Sequence, residues 1–437
     1  MTGRESSRQV TDFVWRDSAV TAPFGSADIA MTDPAINALN GQFALHLQSK
    51  TRHLLVRDPL GVNKLFFAIG PGGQVDVSNY LIDHVRAGRS LHEVWSVPSG
   101  HALRFDTASR DYRLTRYTGL AFNEAAAPAD DPYQCAAAIR SSLEATIRQI
   151  RPLAEGRSLY VTMSGGLDST TVSVLTREII GEFTGVTFTM ADSNGQVIES
   201  EDLRYVRRLA KDINVRLKVV SRTAKQLLEL LDPVLVYGQD WRDFNVHCGL
   251  VNAAIGFDLA RDLGTQSRPL LLTGDCANEL TADYTPVSYR GQTYYTLPDL
   301  PAGRLRRFLV TGLDTGDREI GIYAHFGCDV LEPYALCAPA FTQVPATLLE
   351  VPQAKQKLME RAVAGLVPAY ILARPKVRAQ SGSHDNSGGT LAAVADAGVG
   401  SQELSARFCE LFQTDARALR GLIKAGMYRF STQYPGN

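Results

Sequence analysis

The chain has 437 residues, 45 Lys and Arg against 46 Asp and Glu, 45% hydrophobic and 21% charged residues, and a net charge of -1. That length argues for two or three domains with sizeable cores, and the balanced charge excludes a global basic field of the kind that draws in nucleic acid or an anionic membrane. The opening MTGRESSRQVTDFVW has no unbroken apolar stretch behind its basic residues and no 18-residue apolar run follows, so a cytoplasmic protein without a membrane span is expected. Six cysteines, Cys135, Cys248, Cys276, Cys328, Cys337 and Cys409, form no C-x-x-C pair and show no metal spacing, which points to reduced, mostly buried thiols.

From Leu39 to about Asp106, short apolar runs (FALHL, HLLVRD, LFFAIG, VDVSNY, VPSGHALRFD) alternate with turn residues, the pattern of β-strands and hairpins. Residues 121 to 134, AFNEAAAPADDPYQ, have no apolar period and read as a linker. An amphipathic helix from Cys135 to Ile150 then leads into a strand, SLYVTM, and a helix that starts near Ser169. Next come a strand GVTFTM, a charged helix from Glu201 to Asp212, a strand VRLKVV, a helix from Ala224 to Leu231 and an apolar strand PLLLTG. Strands alternating with helices of this length predict an α/β domain with a doubly wound parallel sheet, whose ligands sit beyond the carboxyl ends of its strands. The Gly/Ser-rich stretch Ser381 to Thr390 reads as a mobile loop.

The segment that carries chemistry is SGGLDST, Ser164 to Thr170, between the strand SLYVTM and its helix. Gly165 and Gly166 let the backbone turn tightly and aim N–H groups and the positive end of a helix dipole at one spot, which suits a phosphate. Ser164 and Ser169 add hydroxyl donors, and Asp168 offers a hard oxygen to Mg2+. The spacing is not that of a Walker loop, so kinase-type chemistry is not implied.

SGGLDST after a strand resembles the pyrophosphate loop of N-type ATP pyrophosphatases, an adenine nucleotide α-hydrolase-like fold. Further matches point to the asparagine synthetase branch. LNGQFALHLQSKTRHLLVRDPLGVNKLFFA resembles that family's glutaminase-type N-terminal nucleophile domain with its "G-x-F-A" and "R-D-x-x-G". TGDCANEL, Thr273 to Leu280, resembles "SGEGSDEL", and ILARPK, Ile371 to Lys376, resembles the stretch ending "R-P-K". The matches span about residues 39 to 385. They imply a smaller, truncated, mainly β glutaminase-like domain over residues 1–120, a linker over 121–134 and an ATP-pyrophosphatase synthetase domain over 135–437.

A working glutaminase of that family uses a mature N-terminal cysteine, whereas Thr2 follows Met1 here and the first cysteine is Cys135. Glutamine hydrolysis is therefore expected to be absent, and the front domain to act as a structural buttress. KVRAQSGS, Lys376 to Ser383, resembles the lysine loop of β-lactam and carbapenam synthetases, whose glutaminase domains are also inactive. By that resemblance Lys376 is the expected catalytic residue, offsetting negative charge in the transition state. Lys357, with Lys355 as its competitor, stands near a lysine that the family places on the phosphates. Asn278 stands where the family has a second Mg-binding aspartate, with Glu279 or Asp275 able to compensate, and Asp275 is a candidate base toward the amine. The resemblance further implies ATP at Ser164 to Ser169, adenine near Met163, Met190, Thr273 and Gly274, and an amine handled by Glu319, Tyr323 or His325 in the stretch Asp317 to Tyr334. DWRDFNVHCG, Asp240 to Gly249, is a candidate acyl pocket.

The expectation is thus an ATP- and Mg2+-dependent, AMP-forming amide-bond synthetase in specialised, antibiotic-type biosynthesis. Its partners would be a small-molecule carboxylate and an amine, free or borne by a carrier or peptide, with no nucleic acid and no membrane; a homodimer stays open. An ammonia-, hydroxylamine- or hydrazine-dependent synthetase and a lasso-peptide-type cyclase are the alternatives, and a silent interaction protein that kept the fold is the rival from another class.

Overall fold

The computed structural model describes residues 9–16, 19–20, 30–123, 132–263, 268–284, 286–312, 319–377 and 389–419. Its front region is mainly β. Strands β1 (Phe13–Arg16), β2 (Ala19–Val20) and β3 (Asn40–Gln42) form one antiparallel sheet. Strands β4 (Ala44–Ser49), β5 (Arg52–Arg57), β9 (His101–Asp106) and β10 (Tyr112–Arg116) form a second in the order β10-β9-β5-β4. Strands β6 (Phe66–Ile69), β7 (Val75–Ser78) and β8 (Trp95–Ser96) form a third. Alternation along β4, β5 and β9 explains how they stack: Leu45, Leu47, Leu54, Val56 and Ala102 pack on one face with Phe43 and Ile36, while Ala44, Leu55 and Leu103 pack on the other with Leu65, Phe67 and Val97. The other side of β6, through Phe66 and Ala68, joins the core of the α/β region. The strand runs expected from the sequence are present; the Asp33–Asn37 and Leu81–Arg86 helices between them were not anticipated.

The Arg-Asp of RDPLG is the internal staple of this region. Arg57 is fully buried and donates to the carbonyls of Asn63, Gly61 and Val97 and to Ser96 Oγ. Asp58 accepts the N–H groups of Phe43, Leu60, Val62 and Asn63. Burial still pushes its carboxyl upward, opposed by Arg57 and those N–H bonds.

The second region is a five-stranded parallel sheet in the order β13-β12-β11-β14-β17: β11 (Leu159–Thr162), β12 (Thr184–Met190), β13 (Arg216–Arg222), β14 (Leu270–Leu272) and β17 (Asp329–Leu331). A two-stranded hairpin, β15 (Val287–Tyr289) and β16 (Gln292–Tyr294), lies outside it. The central strands are apolar on both faces, as a sheet covered by helices requires; β14 is buried along its whole length. The chain turns to one side of β11 for β12 and to the other for β14, so a topological switch point lies beyond Thr162 and Leu272. This is the doubly wound α/β fold expected.

Boundaries differ where local chemistry decides. The first long helix runs Pro132–Ala154, so residues 132–134 of the expected linker are helical, and 124–131 lie outside the described residues. The helix expected over Ala224–Leu231 is two helices, Ala224–Leu228 and Leu231–Tyr237, the second with Pro233 in its first turn, where a missing N–H costs nothing. Residues 381–388 of the expected mobile loop are outside the description, and Gly389 and Thr390 open a helix, Gly389–Asp396. The Asp243–Leu263 helix and β17 were not anticipated.

The front region caps the open edge of the parallel sheet at β17. Gln42 Nε2 donates to Val330 O at 2.8 Å while its Oε1 accepts from Glu332 N–H at 3.3 Å, and Thr11 Oγ1 donates to Asp329 Oδ1 at 2.6 Å. Nearby, Tyr80 Oη donates to Gly321 O at 2.8 Å, and Gln239 bridges Leu81 N–H and Asn79 O. An exposed strand edge is thereby satisfied by side chains. No helix among the described residues is long and apolar enough to cross a membrane.

Candidate functional site

A cavity of about 650 Å³ opens at the switch point. Its floor is the loop after β11. Gly165 sits at φ +70°, and a Cβ there would lie 2.7 Å from Tyr205 Cβ and 2.9 Å from Arg374, so only glycine lets the loop turn here. Gly166, in extended backbone, caps the Leu167–Ile179 helix, which begins two residues earlier than expected because Gly166 rather than a side chain starts it. Ser164 N–H donates to Ser169 Oγ at 3.1 Å, the two hydroxyls are 3.0 Å apart, and Gly166 N–H donates to Ser164 Oγ at 3.3 Å. The loop is thus tied into a cup over a helix N-terminus, with hydroxyls and N–H groups suited to an anion. Gly274, after β14, packs so closely that a Cβ would lie 2.7 Å from Ser169 N.

The loop is held from below by Arg374. Its guanidinium donates to Ser164 O at 3.1 Å, pairs with Asp202, reaches Glu201 Oε1 at 3.4 Å and lies over the Tyr205 ring at 4.3 Å. Burial pushes the Asp202 carboxyl up to about 6, although Arg374 pulls it down. Tyr334 Oη donates to Asp168 O at 3.3 Å, and burial raises its hydroxyl well above the ordinary range.

Charge gathers on one wall. Lys355 Nζ donates to Asp168 Oδ2 at 2.6 Å and to Asn278 Oδ1 at 2.5 Å, and is 3.7 Å from Asp283 Oδ2. Lys376 Nζ donates to the same Asn278 Oδ1 at 3.0 Å, to Asp283 Oδ2 at 2.5 Å and to Asp283 O at 2.6 Å. Desolvation and then the Lys355 charge draw the Lys376 ammonium below the usual lysine value, with Asp283 and Asp168 opposing, although its side chain as a whole keeps 41% of its surface exposed. The opposite wall is one face of the Asp243–Leu263 helix, Phe244, Cys248, Val251, Asn252 and Ile255, spaced as a helix repeats. Asn252 Oδ1 accepts from Tyr323 Oη at 3.1 Å.

Of the residues expected from the sequence, Met163, Ser164, Gly166, Asp168, Ser169, Gly274, Asp275, Asn278 and Lys376 line this cavity. Gly165 shapes the loop without lining it. Met190 and Thr273 are buried outside the lining; the cavity meets β12 at Val186, Thr187 and Phe188 instead. Lys357 is exposed on the far side of the Ala354–Ala362 helix, and Lys355 takes the inward position. Glu319 is buried ahead of the Ile320–His325 helix and does not line the cavity. Neither does Tyr323, whose hydroxyl burial raises well above its ordinary value, nor His325, which stacks on Tyr237 at 3.6 Å. His247, within the candidate acyl segment, points elsewhere: it is buried against Tyr295 Oη at 2.8 Å, and desolvation lowers it to about 4. Asp317 lies outside the described residues, as does the lysine loop beyond Val377.

One donor in the lining fits a hard cation. Asp168 Oδ1 is buried with no hydrogen-bond partner, an oxygen left for a cation. The amide oxygen of Asn278, expected as a second ligand, accepts from two ammonium groups. Among the described residues no cluster of three or more His, Cys, Asp or Glu side chains has metal-holding geometry.

Arg374, Asp202 and Asp283 complete the site beyond the sequence reading, and Lys355 takes the place expected of Lys357. One signal was available for Lys355: with Leu358, Met359 and Ala362, all buried, it follows the i, i+3, i+4, i+7 stripe of its helix, whereas Lys357 falls off it.

Residues 138–314 match the sequence profile of the Asparagine synthase family. The matched stretch contains the phosphate loop, β12 to β14 and the Gly274–Asp283 turn. Among solved structures, NMN synthetase from Francisella tularensis aligns at 13% identity and TM-score 0.33, covering 70% of this chain and 100% of that one. The NH3-dependent NAD synthetase from Campylobacter jejuni subsp. jejuni aligns at 17% identity and TM-score 0.24, covering 36% of this chain and 62% of that one. None of the curated proteins matches the chain. The parallel sheet with its glycine loop and the match to the Asparagine synthase family over residues 138–314 indicate an ATP-using carbon–nitrogen ligase.

Proposed function

We propose that this ligase is an AMP-forming amide-bond synthetase of specialised biosynthesis, similar in its chemistry to β-lactam synthetases. A substrate carboxylate oxygen would attack the α-phosphorus of ATP and expel pyrophosphate; an amine nitrogen would then attack the acyl carbon, lose a proton, and release AMP as the carbon–oxygen bond breaks. The observation that carries this reading is the convergence of Lys355 and Lys376 on Asn278 beside the Ser164–Ser169 loop. Two ammonium groups and a helix N-terminus facing one cavity meet the demand of both steps, which is stabilisation of negative charge rather than a protein nucleophile.

Each lining residue has a part in this reading. The loop N–H groups and the Ser164 and Ser169 hydroxyls hold the phosphates, and Arg374 keeps the loop in shape. Mg2+ at Asp168 would screen the triphosphate charge. Lys376 offsets the charge that builds on the oxygens between acyl group and phosphate, and Lys355 that of the departing pyrophosphate. Asp275, a carboxylate in the lining, takes the amine proton. Phe244 and Cys248 form the acyl pocket. In this reading the nitrogen comes from an amine substrate rather than from glutamine.

The test is pyrophosphate release from MgATP over pools of carboxylic acids and amines. Lys376→Ala should lower release by about 100- to 1000-fold, the cost of losing one preorganised charge stabiliser, while MgATP binding by calorimetry is retained. Undiminished release from that variant would contradict the assignment.

A further inference from the structure

We propose that Asp283 is the positioning residue for Lys376, its carboxylate and its own carbonyl oxygen together holding the lysine ammonium against Asn278 at the cavity wall. This rests on the reading that Lys376 serves the chemistry.

Lys376 follows Pro375 in a segment with neither helix nor strand, and its long stem is partly open to solvent. Such a side chain loses rotamer freedom when fixed, so its placement needs a cause. An ammonium has three hydrogens, and here three acceptors meet them: Asp283 Oδ2, Asp283 O and Asn278 Oδ1. Two of the three belong to Asp283. The backbone sets that residue in place. The short helix Ala277–Thr281 ends in Ala282 at φ +53°, and Asp283 N–H donates back to Asn278 O at 3.0 Å. One turn therefore presents Asn278 and Asp283 to the same ammonium.

Electrostatics gives the carboxylate a second task. Lys355 and Lys376 both touch one neutral amide oxygen, and two ammonium groups that close repel. Lys355 is anchored, since only 7% of its side chain is exposed and Asp168 holds it. Lys376 is the looser member and would be the one displaced. The Asp283 carboxylate faces both, at 2.5 Å from Lys376 and 3.7 Å from Lys355, and lets them share Asn278.

The position is read directly by reactivity, without knowledge of the substrate. Full-length protein is treated with a limiting amine-acylating N-hydroxysuccinimide ester, and labelling at Lys376 is measured by peptide mass spectrometry against Lys225, which is exposed. Lys376 should label slowly in the wild type, faster by about 10-fold in Asp283→Asn as the ammonium is freed, and slowly again in Asp283→Glu. In turnover, Asp283→Asn should lower kcat by roughly 10- to 100-fold, the effect of a misplaced catalytic group, with KM for ATP within about twofold. Equal Lys376 labelling in wild type and Asp283→Asn overturns the proposal, as does a Lys376→Ala variant that is inactive beside an Asp283→Asn variant of wild-type kcat. Active Lys376→Ala would instead remove the role of Lys376 itself while the labelling result still reports on Asp283.

Discussion

In the front region, Arg57 donates to four acceptors and Asp58 accepts from four N–H groups, so a buried charge pair is satisfied by its own loop and the neighbouring Phe43, Ser96 and Val97. Around the cavity the opposite holds: Asp168 Oδ1 is buried with no partner, and one amide oxygen, that of Asn278, is shared by two lysines. Both regions bury charge, but the incompletely matched groups Asp168 and Asn278 line the cavity. The difference separates a staple from a site. Groups that serve the fold are satisfied by the fold, whereas groups that serve a ligand are held ready and matched when the ligand arrives.

Arg374 belongs to both kinds, since it is buried as a staple yet touches the phosphate loop. Arg374→Ala should therefore give the largest stability loss, about 3–5 kcal/mol in urea denaturation, because it leaves the Asp202 carboxyl buried without its cation. A loss below about 1 kcal/mol would show that the pair behaves as a surface one. Next in size is the lysine comparison. Lys355→Ala should weaken MgATP binding by roughly 10- to 100-fold by calorimetry, the effect of truncating one member of a desolvated charge pair, and Lys357→Ala, exposed on the other side of the same helix, should leave it unchanged. Equal effects at the two positions would mean that the helix faces the cavity in another register. The smallest effect is expected in the front region: Gln42→Ala removes two hydrogen bonds to the β17 edge and should cost about 1–3 kcal/mol of stability without altering MgATP affinity. A change in affinity there would break the division between staple and site.

Much of this was legible in the residues, for reasons that also explain what was not. The apolar SLYVTM followed by SGG is readable because a buried parallel strand needs continuous apolar residues and the turn after it needs glycine. Alternation in FALHL and HLLVRD gives the front strands in the same way. By contrast β17 is three residues, DVL, too short for any period to show, and its pairing with β14 depends on contacts 59 positions apart in the Cα register of Leu270 with Asp329. Lys355 and Lys357 differ by two residues, which on a helix is more than half a turn, so choosing between them requires knowing which face packs. The amine-handling roles expected of Glu319, Tyr323 and His325 came from resemblance alone; packing places all three outside the cavity lining. Asp283 carries no motif at all, and only the αL turn after Ala282 brings it to Lys376.

The claim on which the rest depends is that the cavity at the switch point is a live nucleotide site. Calorimetric titration of the purified protein with Mg2+ and an α,β-nonhydrolysable ATP analogue, beside Asp168→Ala, addresses it directly. The account predicts one-to-one binding to the wild type that weakens by at least about 10-fold in the variant, as expected when a charged oxygen beside bound phosphate and cation is removed. A folded wild type that binds no analogue, or an Asp168→Ala variant that binds it equally well, would contradict the account.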